Sequence, residues 1–250
     1  METRTIIQTT NLTRRYNHQP AVENLNFEVR EGEIFGFLGP NGAGKTTTLL
    51  MLLGLSRPSK GYSRVCGLDP LRKAKEVKRL VGYLPENIGF YGDLDAVQNL
   101  EYVADLNGMG HDKTSKKIEE LLELVGLEQD AHKKVGAFSR GMKQRLGFAE
   151  VLIKDPEVLF LDEPTLGLDP DGAIRIIDMI GSLNRDRKIT VLISSHNLHQ
   201  VQKISHRVGI MINGNMVAEG SIESLAKEKF GVDEKEYSLE EVYMKYFQEV

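Results

Sequence analysis

The stretch GPNGAGKT at residues 39–46 decides how the rest of the sequence is interpreted. It has four free positions between Gly39 and Gly44, followed by a lysine and a hydroxyl residue, which is the pattern of a phosphate-binding loop. Glycines let backbone N–H groups turn inward around phosphate oxygens, and the helix that follows directs its positive end at them. The pattern therefore predicts a nucleotide site formed by Asn41, Gly42, Ala43, Gly44, Lys45, Thr46 and Thr47.

Two of these side chains have expected roles in phosphate chemistry. Lys45 reaches the outer phosphates, where it also serves catalysis, and the Thr46 hydroxyl ligates Mg²⁺. The alternative is a glycine-rich turn that matches the pattern by chance. It is disfavoured because the apolar run Ile34–Leu38 predicts a buried strand before the loop, and residues 46–54 predict a helix after it.

A second apolar run, Val158–Leu161, ends in the acidic pair Asp162 and Glu163. At the end of a buried strand, Asp162 is placed to hold Mg²⁺ and Glu163 to polarise an attacking water as general base. The alternative for Glu163 is an ordinary solvated loop acid. Pro164 disfavours helical backbone at the residue before it, so we expect an extended conformation at Glu163.

A third apolar run, 189–193, is followed by two serines and His196. In an open α/β sheet, ligands bind at the carboxyl ends of the strands. We therefore expect Lys45, Glu163 and His196 to meet at one edge of the sheet, with His196 in a catalytic role. A zinc site at His196 and His199 is an alternative, but no third ligand of the right kind stands close in the sequence.

Strands that alternate with helices predict an α/β fold with a mostly parallel sheet. Residues 94–153 differ, because apolar side chains recur there at three- and four-residue spacings throughout, which predicts a helical insertion. We expect a single domain over all 250 residues, with a core at about 1–86 and 155–250 and a helical subdomain at about 87–154. An amphipathic pattern over about 238–248 predicts a terminal helix.

Composition limits the classes of function. With 32 basic and 36 acidic residues the chain has a net charge of −4, which argues against a protein that mainly coats nucleic acid or anionic lipid. Its one cysteine, Cys66, leaves neither an internal disulfide nor a cysteine zinc site, which fits a reducing compartment. The longest stretch without charged residues, 189–202, is too short for a membrane helix, and the N-terminus lacks a signal-peptide pattern. We therefore expect a cytoplasmic protein.

Residues 138–145, FSRGMKQR, resemble the signature loop of ATP-binding cassettes, the motor subunits of ABC transporters. The resemblance extends over essentially the whole chain. Ser139 suits a helix N-cap, and a helix N-terminus attracts anions. For this segment alone, an ordinary capped helix would be the simpler explanation. The resemblance implies that Ser139 and Gly141 meet the ATP bound by an opposite subunit, so that two cassettes enclose two nucleotides.

The same resemblance implies roles for three further residues. Tyr16 would stack on adenine, although alone it would be a packing tyrosine. Asp169 would lie at the seam between two cassettes, and His196 would sense the γ-phosphate. The fold implied is a phosphate-loop NTPase core with a mostly parallel sheet, N-terminal antiparallel strands and an inserted helical subdomain.

Two departures from the family pattern point to one branch of it. Glu86 stands where glutamine is typical, and Phe138, Arg140 and Met142 replace the commoner Leu, Gly and Gln of the signature. Both departures resemble the branch that serves drug, peptide-antibiotic and bacitracin-type exporters and copper-site maturation systems. At the end of a predicted strand, Glu86 is expected to lie near Asp162 and to contact the metal.

We therefore expect an ATPase that uses MgATP, pairs with a second cassette and drives a separate integral membrane permease as an exporter, on the cytoplasmic face of the membrane. That second cassette is either another copy or a related subunit, and no nucleic-acid partner is expected. One alternative is a soluble cassette that acts on ribosomes or DNA. Another is a nucleotide sensor without turnover, which would have lost the base that Glu163 supplies here.

Overall fold

The computed structural model describes residues 4–230 and 237–248, in which it shows nine strands and nine α-helices. The strands are β1 Thr5–Tyr16, β2 Gln19–Arg30, β3 Ile34–Leu38, β4 Lys60–Val65, β5 Val81–Leu84, β6 Val158–Asp162, β7 Thr190–Ser195, β8 Arg207–Ile212 and β9 Asn215–Gly220. The helices are α1 Lys45–Leu52, α2 Ala74–Leu80, α3 Ala96–Leu106, α4 His111–Leu124, α5 Arg140–Leu152, α6 Pro170–Arg187, α7 Leu198–Ile204, α8 Ile222–Phe230 and α9 Leu239–Gln248.

Six strands form the main sheet, in the order β5-β6-β7-β3-β8-β9. All neighbours in it pair in parallel except β8 and β9, which are antiparallel. A separate antiparallel sheet has the order β2-β1-β4. The predicted fold class, a mostly parallel core with antiparallel N-terminal strands and inserted helices, is confirmed.

Strand β3 is buried along its whole length, as its continuous apolar sequence predicts. Phe27 of β2 packs on Phe35 and Phe37 of β3, with ring centroids 5.6 and 5.5 Å apart, and this stacking joins the two sheets. Because β3 lies between β7 and β8, its last residue, Leu38, pairs with Ser195 at the end of β7. The loop after β3 therefore lies beside the segment that follows β7.

Helices α3, α4 and α5 form the inserted part. Helix α3 begins with a capping box made by Asp95 and Gln98, and α5 begins at the predicted N-cap, Ser139. The prediction of helix throughout 94–153 is wrong between α4 and α5. There the chain turns at Gly126, whose φ of +64° favours glycine, and then forms only two short 3₁₀ turns.

The predicted subdomain boundaries near residues 87 and 154 stay predictions. One hydrophobic core runs across them, because Leu100 of α3 and Leu146 of α5 share it with Leu161 of β6. The inserted helices and the sheet are therefore packed together as one body of apolar side chains.

The terminal helix α9 lies within the predicted range. It buries Leu239, Val242 and Tyr246, and the N–H of Leu239 donates to the side chain of Gln202 in α7 at 2.9 Å. In the two ranges that the structure describes, no helix has both the length and the apolar character needed to cross a membrane.

Candidate nucleotide-binding site

The loop between β3 and α1 follows a backbone course that requires glycine at two points. Gly39 and Gly44 have φ angles of +154° and +103°. A Cβ atom at Gly39 would lie 2.3 Å from the carbonyl oxygen of Met211, and one at Gly44 would lie 2.4 Å from that of Ala21. The two glycines therefore allow the loop to pack closely against two other segments. The loop lies at the N-terminus of α1, where the helix dipole favours an anion.

A cavity of about 420 Å³ opens at this loop. It brings together most of the residues that the sequence predicts to bind nucleotide and metal. They are Tyr16, Asn41, Gly42, Ala43, Gly44, Lys45, Thr46, Thr47, Glu86, Asp162 and Glu163. Its volume lies within the range of roughly 300–1,000 Å³ that small-molecule sites occupy.

Lys45 is only 6% exposed, and its ammonium group is satisfied by three oxygen atoms. Nζ donates to the carbonyl oxygens of Gly39 at 2.6 Å and Pro40 at 3.2 Å. It also lies 3.5 Å from Oε1 of Glu163, in an ion pair between two buried side chains. The loop thus fixes a positive charge at the floor of the cavity, next to an acidic side chain from β6.

Asp162 ends strand β6 and is 1% exposed, and both of its carboxylate oxygens accept hydrogen bonds. Thr46 Oγ1 donates to Oδ2 at 2.7 Å, and Ser194 Oγ donates to Oδ1 at 2.5 Å. The two predicted metal ligands Thr46 and Asp162 are therefore in contact. Ser194 was not predicted to belong to the site, and its contact follows from the register that pairs it with Asp162.

The backbone at Glu163 differs from the prediction. Its φ is +50°, in the left-handed region, so the extended conformation expected from Pro164 is wrong. Two hydrogen bonds hold this turn, since the N–H of Glu163 donates to Ser194 O at 3.0 Å and its carbonyl accepts from Leu166 N at 3.0 Å. A left-handed residue that carries a Cβ costs about 1–2 kcal/mol, and such strain concentrates at functional sites.

The two carboxylate oxygens of Glu163 have different surroundings. Oε2 lies 2.8 Å from His196 Nδ1 and 3.3 Å from the His196 backbone N–H. Oε1 is buried and has no hydrogen-bond partner among the described residues, and the Lys45 ammonium lies 3.5 Å from it. Lys45, Glu163 and His196 therefore meet at the carboxyl ends of β3, β6 and β7, as the sequence predicts.

A zinc site at His196 is not supported by the structure. The His196 side chain is half exposed, and its nearest charged partner is the single carboxylate of Glu163. Across residues 4–230 and 237–248, no three His, Cys, Asp or Glu side chains are grouped so that they could hold a metal ion by themselves.

Tyr16 lies at the rim of the cavity, 44% exposed. Its hydroxyl group is 3.4 Å from Ser56 Oγ, and the guanidinium group of Arg14 lies over its ring, 4.4 Å from the centroid. The hydrogen bond to Ser56 and the charge of Arg14 both lower the pKa of Tyr16. Arg14 covers one face of the Tyr16 ring. The stacking of Tyr16 on adenine stays a prediction.

Glu86 follows β5 and is exposed where it lines the cavity. Tyr83, three residues earlier, has its pKa raised to about 12 by burial first and then by the charges of Asp162 and Glu86. These two carboxylates therefore act on one hydroxyl group. Among the described residues, however, Glu86, Asp162 and Glu163 do not form a group that could hold a metal ion by themselves. Its role as a metal ligand stays a prediction.

Ser139, Gly141 and Asp169 line a second cavity, of about 300 Å³, and not the one that contains Lys45. Ser139 Oγ accepts from Met142 N at 3.2 Å, so the predicted N-cap is confirmed. Asp169 precedes Pro170 at the start of α6, and its side chain makes no capping hydrogen bond. Within one chain, the structure therefore does not bring these three residues to the phosphate-binding loop.

Known proteins are similar to this chain in both sequence and fold. The model of the ABC transporter family matches residues 22–166. The chain is 46% identical over 223 residues to the bacitracin transport ATP-binding protein BcrA of Bacillus licheniformis, which covers 89% of this chain and 72% of that protein. It is 36% identical over 216 residues to the linearmycin resistance ATP-binding protein LnrL of Bacillus subtilis (strain 168), which covers 86% and 69%. A solved structure of an ATP-binding subunit of an ABC transporter superimposes with a TM-score of 0.86 at 27% identity, over 97% of this chain and 100% of that one.

Proposed function

The chain belongs to the ABC transporter family of ATP-binding subunits, whose cassettes are ATPases, and we propose that it energises an exporter through a separate integral membrane permease. One observation carries the assignment of the catalytic residues. Glu163 lies between Lys45 and His196 at the mouth of the phosphate-binding loop, with a buried carboxylate and a left-handed backbone. A surface acid with an ordinary solvated role would not be fixed at both its side chain and its backbone.

We assign the activation of water to Glu163. His196 fixes Oε2, whereas Oε1 has no hydrogen-bond partner in the part of the chain that the structure describes. Oε1 is therefore the atom that we assign to accept the proton of the attacking water, as general base. His196 orients this carboxylate, and Lys45 supplies positive charge for the outer phosphates of ATP.

The donor set at the loop fits Mg²⁺. This cation prefers oxygen ligands and is usually held by one or two carboxylates together with substrate phosphates. Thr46 and Asp162, joined by a hydrogen bond of 2.7 Å, offer a hydroxyl group and a carboxylate beside the loop, and Glu86 lies at the rim of the same cavity. When bound there, Mg²⁺ would neutralise negative charge on the phosphates.

We propose that the active form pairs two cassettes, either two copies of this chain or this chain and a related subunit. Lys45 and Ser139 line separate cavities, so one chain presents only part of the site to a nucleotide. Pairing would supply Ser139, Gly141 and Asp169 from the opposite cassette, at the N-terminus of a helix that attracts anions.

The permease and the direction of transport are inferred from the family. The names of two relatives concern bacitracin transport and linearmycin resistance, which supports export. We propose that the protein lies on the cytoplasmic face of the membrane, bound to its permease. The alternative role on ribosomes or DNA has no support, since the net charge is −4 and these relatives are named for transport and resistance.

The first test is Lys45→Ala, measured as MgATP hydrolysis and ATP binding by the purified protein. Loss of the ammonium group should lower both by at least about tenfold, the effect of one charge-assisted hydrogen bond. Lys73→Ala is the matched control, because the Lys73 side chain is exposed and its ion pair is with Glu76 of the same helix turn, at 3.1 Å. Unchanged hydrolysis in Lys45→Ala would refute the assignment of the loop. Copurification with the product of a neighbouring membrane-protein gene tests the permease.

A further inference from the structure

Arg14 packs on the aromatic ring that the sequence predicts to stack on adenine. Its guanidinium carbon lies 4.4 Å from the centroid of the Tyr16 ring, within the range of a cation–π contact. Both residues belong to strand β1, and side chains two positions apart in a strand leave on the same face. A positive charge is therefore stacked on one face of a ring at the rim of the nucleotide cavity.

Two contacts compensate the charge of Arg14. Nη1 donates to the carbonyl oxygen of Arg57 at 2.7 Å. Nε is buried without a hydrogen-bond partner, and no carboxylate pairs with this guanidinium group, within residues 4–230 and 237–248. The cation is therefore compensated by the carbonyl group of Arg57 and by the π face of Tyr16.

The segment 56–59, which follows helix α1, holds the same end of β1. The Tyr16 hydroxyl group is 3.4 Å from Ser56 Oγ, and the N–H of Ser59 donates to Thr13 O at 2.7 Å. This segment also supplies the carbonyl acceptor of the guanidinium group. Because α1 begins at the phosphate-binding loop, the aromatic ring is tied to that loop through one helix and the segment after it.

The two faces of the Tyr16 ring have different surroundings. Tyr16 lines the cavity of about 420 Å³ together with Lys45 and Thr47. In the part of the chain that the structure describes, Arg14 is not one of the lining residues, so its guanidinium group covers the face turned away from the cavity. Tyr16 is still 44% exposed with this cover in place, which leaves area on which a base can stack.

We infer that Arg14 is a positioning residue for the nucleotide base, which holds the Tyr16 ring in the orientation that stacks on adenine and acts on ATP only through that ring. The inference rests on the proposed function, because it requires an ATP site at the phosphate-binding loop. A ring that is already fixed loses little side-chain freedom when a base stacks on it, so less binding free energy is lost. Removing the guanidinium group should therefore weaken the binding of nucleotides and leave the binding of phosphate groups alone unchanged.

The first test measures, by calorimetry with Mg²⁺, the binding of ADP and of inorganic tripolyphosphate to the full chain and to Arg14→Met. Methionine keeps an unbranched side chain without the charge, so the Kd for ADP should rise about three- to tenfold, the effect of one cation–π contact. The Kd for tripolyphosphate should change less than about twofold, because this ligand occupies the loop without a base. Retained tripolyphosphate binding also shows that the variant is folded.

Arg64→Met is the matched control for the first test. Arg64 is exposed on β4, the strand next to β1, and its guanidinium group donates to the carbonyl oxygen of Gly67 at 3.2 Å. Its replacement removes one positive charge from the same sheet and leaves the aromatic ring untouched. Both Kd values should therefore stay within about twofold of the wild type.

The second test asks whether Arg14 acts through the ring. Tyr16→Ala should raise the Kd for ADP about 5- to 100-fold, the effect of one base–aromatic stack. In that background, Arg14→Met should change the Kd less than about twofold further, because the contact that it removes is already lost. Arg14→Lys should bind ADP more tightly than Arg14→Met, since an ammonium group also makes a cation–π contact.

Steady-state hydrolysis separates positioning of the base from a role in the reaction. Arg14→Met should raise the KM for ATP by about the same factor as the Kd for ADP. Its kcat should change less than about twofold, because Lys45 and Glu163 are unaltered. A fall in kcat at an unchanged KM would contradict the assignment.

Three further results would overturn the inference. They are wild-type ADP binding in Arg14→Met or in Tyr16→Ala, equal rises in the Kd for ADP and for tripolyphosphate in Arg14→Met, and effects of the two substitutions that multiply in the double variant. The wild-type chain tests the proposed function separately. If it binds ADP and hydrolyses ATP while Arg14→Met behaves as the wild type, only this inference fails. If it does not bind ADP, the proposed function fails and the inference with it.

Discussion

Replacing Glu163 by glutamine removes the proposed base and keeps the size of the side chain. The amide oxygen can still accept from the backbone N–H of His196, as Oε2 does at 3.3 Å. The atom at Oε1, which has no hydrogen-bond partner within residues 4–230 and 237–248, loses its ability to accept a proton. General-base catalysis contributes about 10²–10⁴-fold, so we expect kcat to fall by that factor.

In free-energy terms, the loss of stability should be smaller than the rise in the activation barrier. The ion pair between Glu163 and Lys45, 3.5 Å apart and buried, is broken. Breaking a buried pair costs about 3–5 kcal/mol when the remaining charge is uncompensated. Lys45 keeps two carbonyl acceptors, so we expect about 1–2 kcal/mol, a decrease of roughly 2–8 °C in the unfolding midpoint.

The assay is steady-state MgATP hydrolysis at saturating ATP, with thermal unfolding of the same samples. Size-exclusion chromatography with MgATP should show a stable pair of cassettes, because ATP binding is kept while its hydrolysis is blocked. Glu157→Gln is the matched control, since this exposed glutamate precedes the opposite end of the same strand. If Glu163→Gln hydrolyses ATP within about threefold of the wild-type rate, Glu163 is not the base and the oxygen assignment falls with it.

Three further experiments test other parts of the molecule. Ser139→Arg should abolish turnover while the monomer still binds ATP, because its cavity serves the opposite subunit; loss of binding by the monomer would contradict that arrangement. Glu86→Gln should keep nucleotide binding and shift the Mg²⁺ concentration that gives half-maximal ATPase at fixed ATP, whereas superimposable curves would place Glu86 away from the metal. Burial raises the pKa of the Cys66 thiol to about 11 from 9.0. Alkylation of Cys66 at pH 8 should therefore be about 100-fold slower in the native protein than in denaturant. In the native protein, the rate of alkylation should rise about tenfold per pH unit towards pH 10. Equal rates in the native and denatured protein would show that Cys66 is not buried.

The sequence predicted those parts of the fold that depend on residues close together in the chain. The strand Ile34–Leu38 is a continuous apolar run, and it is buried on both faces. The loop after it is set by glycines at fixed spacing, two of which the structure holds against neighbouring backbone. Parallel strands that end at one edge of the sheet then bring Glu163 and His196 to Lys45, as the order of motifs along the chain predicted.

The features that sequence reasoning missed are set by register and by distant contacts. Ser194 reaches Asp162 only because β7 and β6 pair residue for residue, and neither strand carries a signal for that register. The left-handed backbone of Glu163 arises from a hydrogen bond to the same Ser194, which outweighs the local preference that Pro164 imposes. The break between α4 and α5 did have a local signal, Gly126, which the apolar periodicity concealed.

The separation of the two cavities gives the proposed coupling a physical basis. The loop side of the site holds Lys45 and the proposed base, Glu163, whose Oε1 has no hydrogen-bond partner among the described residues. The N-terminus of α5 lies in another cavity of the same chain. Groups that stabilise the transition state act only when they are fixed beside the reacting phosphate. In the proposed function, a single cassette lacks one set of those groups, and assembly of the pair would supply it. Helix α5 shares a hydrophobic core with α3 and α4. If a phosphate on the opposite cassette attracts the N-terminus of α5, the other inserted helices would therefore move with α5. ATP binding would then move the inserted helices, and this movement could be transmitted to a permease.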